Sequence, residues 1–76
     1  MQVVVAEVHK NLFQGEALSL TVATTEGVVT VLPKHAPFVA NLKSGEVTVK
    51  TKEGIQKFEI SGGVLEVAND QVTVLL

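Results

Sequence analysis

Cysteine, tryptophan and tyrosine are absent from these 76 residues, and only two prolines and three phenylalanines are present. Without cysteine there is no disulfide framework, no thiolate for a metal and no thiol nucleophile; a reducing cytoplasm is permitted. Phe13, Phe38 and Phe58 are too few for a base-stacking platform, and a formal net charge of -2 offers nothing to phosphates, which argues against nucleic acid as a partner. The same shortage disfavours a carbohydrate- or ligand-binding groove lined by aromatics. No apolar run nears the roughly 20 residues that a membrane-spanning helix needs. The start, Met1-Gln2-Val3-Val4-Val5-Ala6-Glu7, has no basic flank and meets an acid before a useful apolar stretch, so no export signal is expected.

What is present is aliphatic. Hydrophobic residues make up 46% of the chain against 18% charged, too apolar for disorder, and the length supports a single domain over residues 1–76. Valine dominates and threonine is frequent; both are stiff at χ1 and suit a pleated surface. Leu18, Leu20 and Val22 alternate with Ala17, Ser19 and Thr21, giving a strand with one apolar face. Val47 and Val49 alternate with Glu46, Thr48 and Lys50, then Phe58 and Ile60 with Lys57 and Glu59, which predicts a hairpin. A two-residue turn at Glu53-Gly54 sets Val49 opposite Phe58 and Val47 opposite Ile60. It also sets Lys50 opposite Lys57, a like-charge pair that leaves a slightly longer turn open. A second hairpin turns at Asn69-Asp70, with Val67 opposite Val72 and Leu65 opposite Val74. Gly27 to Leu32 and Phe38 to Leu42 are further apolar runs between turn residues, and no window has a capped helical stripe. Many short strands predict an all-β fold, a sandwich of two antiparallel sheets or a flattened barrel. No linker, low-complexity stretch or internal repeat is evident.

Few residues suggest chemistry. Pro33-Lys34-His35-Ala36-Pro37 is a loop stiffened by two fixed φ angles, suited either to recognition or to a plain crossover with a solvated histidine. Ser61-Gly62-Gly63 lacks the Lys-Ser/Thr ending and helix start of a phosphate loop and predicts a bulge or sharp bend between strands. His9 and His35, without cysteine and without ligand spacing, assign no metal, and no cofactor is assigned. Glu46, Glu59 and Glu66 sit opposite apolar positions on their strands and form a solvated face rather than an acid/base pair. Ser19, Ser44, Ser61, His35 and Asp70 supply the residue types of a triad, but without a Gly-x-Ser-x-Gly elbow; no catalytic residue is assigned.

The order Leu12-Phe13-Gln14-Gly15-Glu16-Ala17, Thr25-Glu26-Gly27, Val31-Leu32-Pro33-Lys34-His35-Ala36-Pro37, Leu42-Lys43-Ser44-Gly45, Ile60-Ser61-Gly62-Gly63 and Leu65-Glu66-Val67 closely resembles the epsilon subunit family of F-type ATP synthases, over nearly the whole chain. The resemblance implies a sandwich of two sheets of about five strands, non-catalytic, in the rotor of the F1Fo complex. It implies binding to the gamma subunit on one side, contact with the c-ring at one end, and a peripheral place at the cytoplasmic face of a bacterial plasma membrane. Carried over by position, Thr25, Glu26, Gly27 and Val28 match the loop facing the ring, and His35, Ala36 and Pro37 the neighbouring loop near ring and gamma. Val28 stands where some relatives have an acid, and Lys34 where glycine is frequent. The family usually continues into a helical hairpin able to inhibit ATP hydrolysis and, in some members, to bind ATP; with the chain ending at Leu76, neither a helical brake nor a nucleotide site is expected. The doubly apolar runs Val3-Val4-Val5 and Val28-Val29 exceed what one core needs, which predicts an apolar patch on one face, covered by gamma.

Overall fold

The structure, a computed structural model, describes all residues from Met1 to Leu76. It contains nine strands and no helix: β1 (Gln2–Glu7), β2 (Lys10–Glu16), β3 (Ser19–Thr24), β4 (Gly27–Val31), β5 (Phe38–Leu42), β6 (Gly45–Thr51), β7 (Gly54–Ile60), β8 (Gly63–Ala68) and β9 (Gln71–Leu75). No helix is therefore long and apolar enough to cross a membrane. The strands follow one hydrogen-bonded path, β2-β1-β9-β8-β5-β3-β6-β7, with β4 on the outer side of β3.

The expected two sheets of about five strands become one curled sheet with a layer of five (β2, β1, β9, β8, β5) and a layer of four (β4, β3, β6, β7). A single bridge, Thr24 to Leu42, joins β5 to β3 at the corner. The amide of Thr25 donates to Asn41 O at 3.0 Å and that of Lys43 to Ala23 O at 2.9 Å, carrying the ladder around it. Nor is every pair antiparallel: β1 runs parallel to β9, with Val3 beside Val72 and Val5 beside Val74. No tight turn links these two strands, so nothing forces the antiparallel sense that hairpins require.

Alternation does the packing. Val3, Val5, Leu65, Val67, Val72 and Val74 point inward from the larger layer and Leu20, Val22, Val31, Val47 and Val49 from the smaller, forming one core with Met1, Ala17, Leu42 and Ile60. Each such side chain contributes on the order of 1.5–3 kcal/mol of burial free energy. Leu18 departs from the strand assigned to it: it lies before β3 and is exposed, while its neighbour Ala17 is buried.

The Asn69-Asp70 hairpin has the expected register, Val67 to Val72 and Leu65 to Val74. Both turn residues have positive φ, 52° and 58°, a conformation that Asn and Asp tolerate better than most. The other hairpin turns one residue earlier than expected. Its tip is Lys52-Glu53, Thr51 pairs with Gly54, Val47 faces Phe58, and Val49 faces Gln56. Thr51 sets this register: its Oγ1 donates to Gly54 O at 3.1 Å and accepts the Glu53 amide at 3.2 Å. Lys50 then faces Ile55, which removes the Lys50–Lys57 repulsion.

Candidate partner-binding site

The segment Thr25 to Val28 forms an exposed tip on an anchored base. Thr24, at the end of β3, is buried; its Oγ1 donates to Gly27 O at 2.7 Å and accepts the Glu26 amide at 3.1 Å. Gly27 has φ 126°, with open space where a Cβ would stand, so backbone conformation and not crowding favours glycine there. Val28 begins the outward side of β4 and is 75% exposed. The same arrangement recurs at Thr51 to Gly54, so two hairpins share a Thr-x-Glu-Gly turn. That four-residue spacing is legible in the chain.

The loop from Leu32 to Pro37 leaves the other end of β4, so it and the Thr25–Val28 tip, close in sequence, are separated by the strand's length, roughly 13 Å at about 3.3 Å per residue. The His35 amide donates to Leu32 O at 3.2 Å. The His35 ring lies 4.8 Å from the Phe38 ring at a 51° tilt. Its Nδ1 is 2.7 Å from Ala36 O, a bond that places a proton on Nδ1 because a carbonyl only accepts. Lys34 has φ 66°, which is the reason a glycine suits this position. Its amide donates to Asp70 Oδ1 at 2.8 Å, tying the loop to the β8–β9 turn.

The two runs expected to make one apolar patch lie on different layers. Val3 and Val5 are core, Val4 faces out of the five-stranded layer, Val29 packs against the core, and Val28 faces out of the four-stranded layer. The outward side of the five-stranded layer nevertheless carries a continuous apolar row. Val64 pairs with Leu75, and Leu75 lies beside Ala6, with Val39 and Val4 in the adjacent row. Val39 (67%), Leu75 (53%) and Val64 (37%) remain exposed. Glu66 and Thr73 stand between Val39 and Val4 in that adjacent row, and the layer's one lysine, Lys10, is at the start of the edge strand β2. Sequence reading missed Val39, Val64 and Leu75 because each sits singly among inward residues, and only strand pairing places them side by side.

No enclosed cavity accompanies these surfaces. Two shallow hollows occur, about 180 Å³ bordered by Glu16, Ala17, Leu18, Lys52 and Glu53, and about 320 Å³ bordered by Glu7, Val8, His9, Lys10 and Leu76. No three His, Asp or Glu side chains converge as metal ligands would.

Comparison with known proteins agrees with this geometry. The model of the ATP synthase delta/epsilon chain β-sandwich domain matches residues 1–76. The chain is 47% identical over 74 residues to the ATP synthase epsilon chain of Xanthomonas euvesicatoria pv. vesicatoria, covering 95% of this chain and 52% of that one. It is 48% identical over 73 residues to that of Stenotrophomonas maltophilia, covering 93% and 51%. The chain thus spans about half the length of the curated relatives it matches. Among solved structures, a chain of the Euglena gracilis mitochondrial ATP synthase, OSCP/F1/c-ring, in rotational state 1, superposes with a TM-score of 0.88 at 25% identity, covering 96% of this chain and 48% of that one. A chain of the Tetrahymena thermophila mitochondrial ATP synthase central stalk and c-ring shares the fold, with a TM-score of 0.83 at 16% identity over 97% of this chain and 60% of that one.

Proposed function

Because the chain belongs to the ATP synthase delta/epsilon β-sandwich family, we propose that it is a non-catalytic coupling piece of the central stalk, seated between the gamma subunit and the c-ring of an F1Fo ATP synthase. The observation that carries this reading is the uncovered apolar row of Val64, Leu75 and Ala6, with Val39 and Val4 beside it, on one layer of an otherwise well-packed sandwich. An exposed apolar surface without an aromatic groove or cavity suits a protein partner better than a small ligand. Gamma is assigned to this face.

The Thr25–Val28 tip is assigned to the polar loops of the ring. His35, Ala36 and Pro37 lie at the far end of β4 and run directly into β5, whose Val39 lies beside the apolar row, so they are assigned to the rim of the gamma side. A densely packed block of valine strands transmits torque by not deforming; its role is geometric, with no bond made or broken. Within the complex it sits peripherally at the cytoplasmic face of a bacterial plasma membrane. The test is association: the purified chain is mixed with purified gamma, and a complex is expected at about micromolar concentration, a usual range for a surface of this kind. Failure to bind there, or failure of gamma and the ring to accompany the chain from solubilised membranes, overturns the reading.

A further inference from the structure

Pro33 and Pro37 contribute no amide to the loop after β4, and of the remaining donors that of His35 is used inside the loop, on Leu32 O at 3.2 Å. The single hydrogen bond by which residues 32–37 reach the rest of the molecule runs from the Lys34 amide to Asp70 Oδ1, at 2.8 Å. It is made at the residue that needs it most, since Lys34 holds φ 66° without being glycine. Asp70 is itself fixed: its φ is 58°, its carbonyl accepts the Gln2 amide at 3.1 Å, and its Oδ2 lies 3.8 Å from the amino group of Met1.

We propose that Asp70 is a positioning residue for partner binding, holding the exposed 32–37 loop in its bound shape before the partner arrives. This rests on the reading that the loop rims the gamma-binding face. A loop ordered in advance loses less conformational freedom on association, so the carboxylate acts on affinity through Lys34 without touching gamma. The side chain supplies an acceptor, and its charge is secondary; asparagine, which keeps Oδ1 and also tolerates the left-handed turn, therefore substitutes for it.

Asp70→Gly removes the acceptor while accepting φ 58° without strain, and Asp70→Asn is the rescue. Amide exchange at Lys34, followed by NMR on the free chain, is expected to accelerate about tenfold in Asp70→Gly while the amides of Leu65 and Val72 keep their protection. Affinity for purified gamma falls roughly fivefold, and Asp70→Asn restores both quantities to within about twofold. Unchanged Lys34 exchange in Asp70→Gly overturns the assignment, as does an Asp70→Asn chain as loose as Asp70→Gly. Joint loss of protection at Leu65 and Val72 overturns it too, since Asp70 would then serve the fold and not the loop. An unsubstituted chain that never binds gamma sinks the underlying reading, whereas normal gamma binding by Asp70→Gly sinks this inference alone.

Discussion

The two layers have equivalent inner faces and different outer ones: exposed apolar residues lie side by side on the five-stranded layer, whereas on the four-stranded layer Val28 and Ile55 stand apart, on β4 and β7. Outside the four-stranded layer, Thr30, Thr21, Thr48 and Lys57 lie in one row across β4, β3, β6 and β7, with Thr21 and Thr30 hydroxyls 3.0 Å apart. Lys57 reaches Glu46 at 3.8 Å, and Lys50 and Glu59 complete a balanced set of charges. The corresponding surface of the five-stranded layer presents Val64, Leu75 and Ala6 in one row and, in the next, Val39 and Val4 on either side of Glu66 and Thr73. Both layers obey the same alternation inward because both share one core. On the proposed assignment, the outward half of the alternation answers to water on the four-stranded layer and to gamma on the five-stranded one.

The largest effect that breaks this contrast is expected at Gly63, where β8 enters the apolar face. A Cβ there would collide with Leu75 O, and φ is 148°. Gly63→Ala must displace the Leu75 backbone as well as strain its own, a loss of about 3 kcal/mol by thermal or urea unfolding. Gly54, on the four-stranded layer, has a similar φ of 138° but open space, so Gly54→Ala is expected to lose only about 1–2 kcal/mol, the backbone component alone. Equal losses at the two glycines would remove the argument that the β8–β9 contact is the crowded one.

Next in size is Leu75→Lys. The side chain is 53% exposed, so the free chain keeps its stability to within about 0.5 kcal/mol, whereas a charge placed in the centre of an apolar contact weakens gamma binding by roughly 2 kcal/mol, about 30-fold. Titration calorimetry against gamma, with unfolding as the control, separates the two. Undiminished affinity would show that gamma covers some other surface.

How much of this the chain announces depends on the range of the interaction. The Asn69-Asp70 hairpin is legible because its turn is local and both residues accept positive φ. The β6–β7 register is half legible. Alternation fixes which side Val47, Val49 and Phe58 face, but a shift of two residues leaves every side unchanged, and the Thr51 hydroxyl bonds and the avoided Lys50–Lys57 pair favour the observed register. The parallel β1–β9 pair, the Thr24–Leu42 corner and the apolar row on the larger layer are not legible from period at all. A period of two states that Val64 and Leu75 face away from the core; that they are neighbours follows only from strand pairing. The tip and the loop were legible as exposed segments through resemblance, and their separation to opposite ends of β4 required the strand to be drawn.

The smallest expected effect tests the other side of the contrast. Thr21→Val keeps the β-branched shape and removes one hydroxyl from the threonine row, ending the 3.0 Å bond to Thr30. Thr30 is exposed and regains a water partner, so the stability change is expected to stay within about 0.5 kcal/mol. Removing a polar atom also makes this face slightly more apolar, the direction that would strengthen a hydrophobic contact if gamma bound here. On the present assignment the affinity for gamma moves by less than about twofold in either direction, because the substituted face points to water in the complex. A tenfold change in gamma affinity, measured beside the Leu75→Lys chain, would exchange the roles of the two layers: the threonine row would be the buried contact and the valine row the free surface.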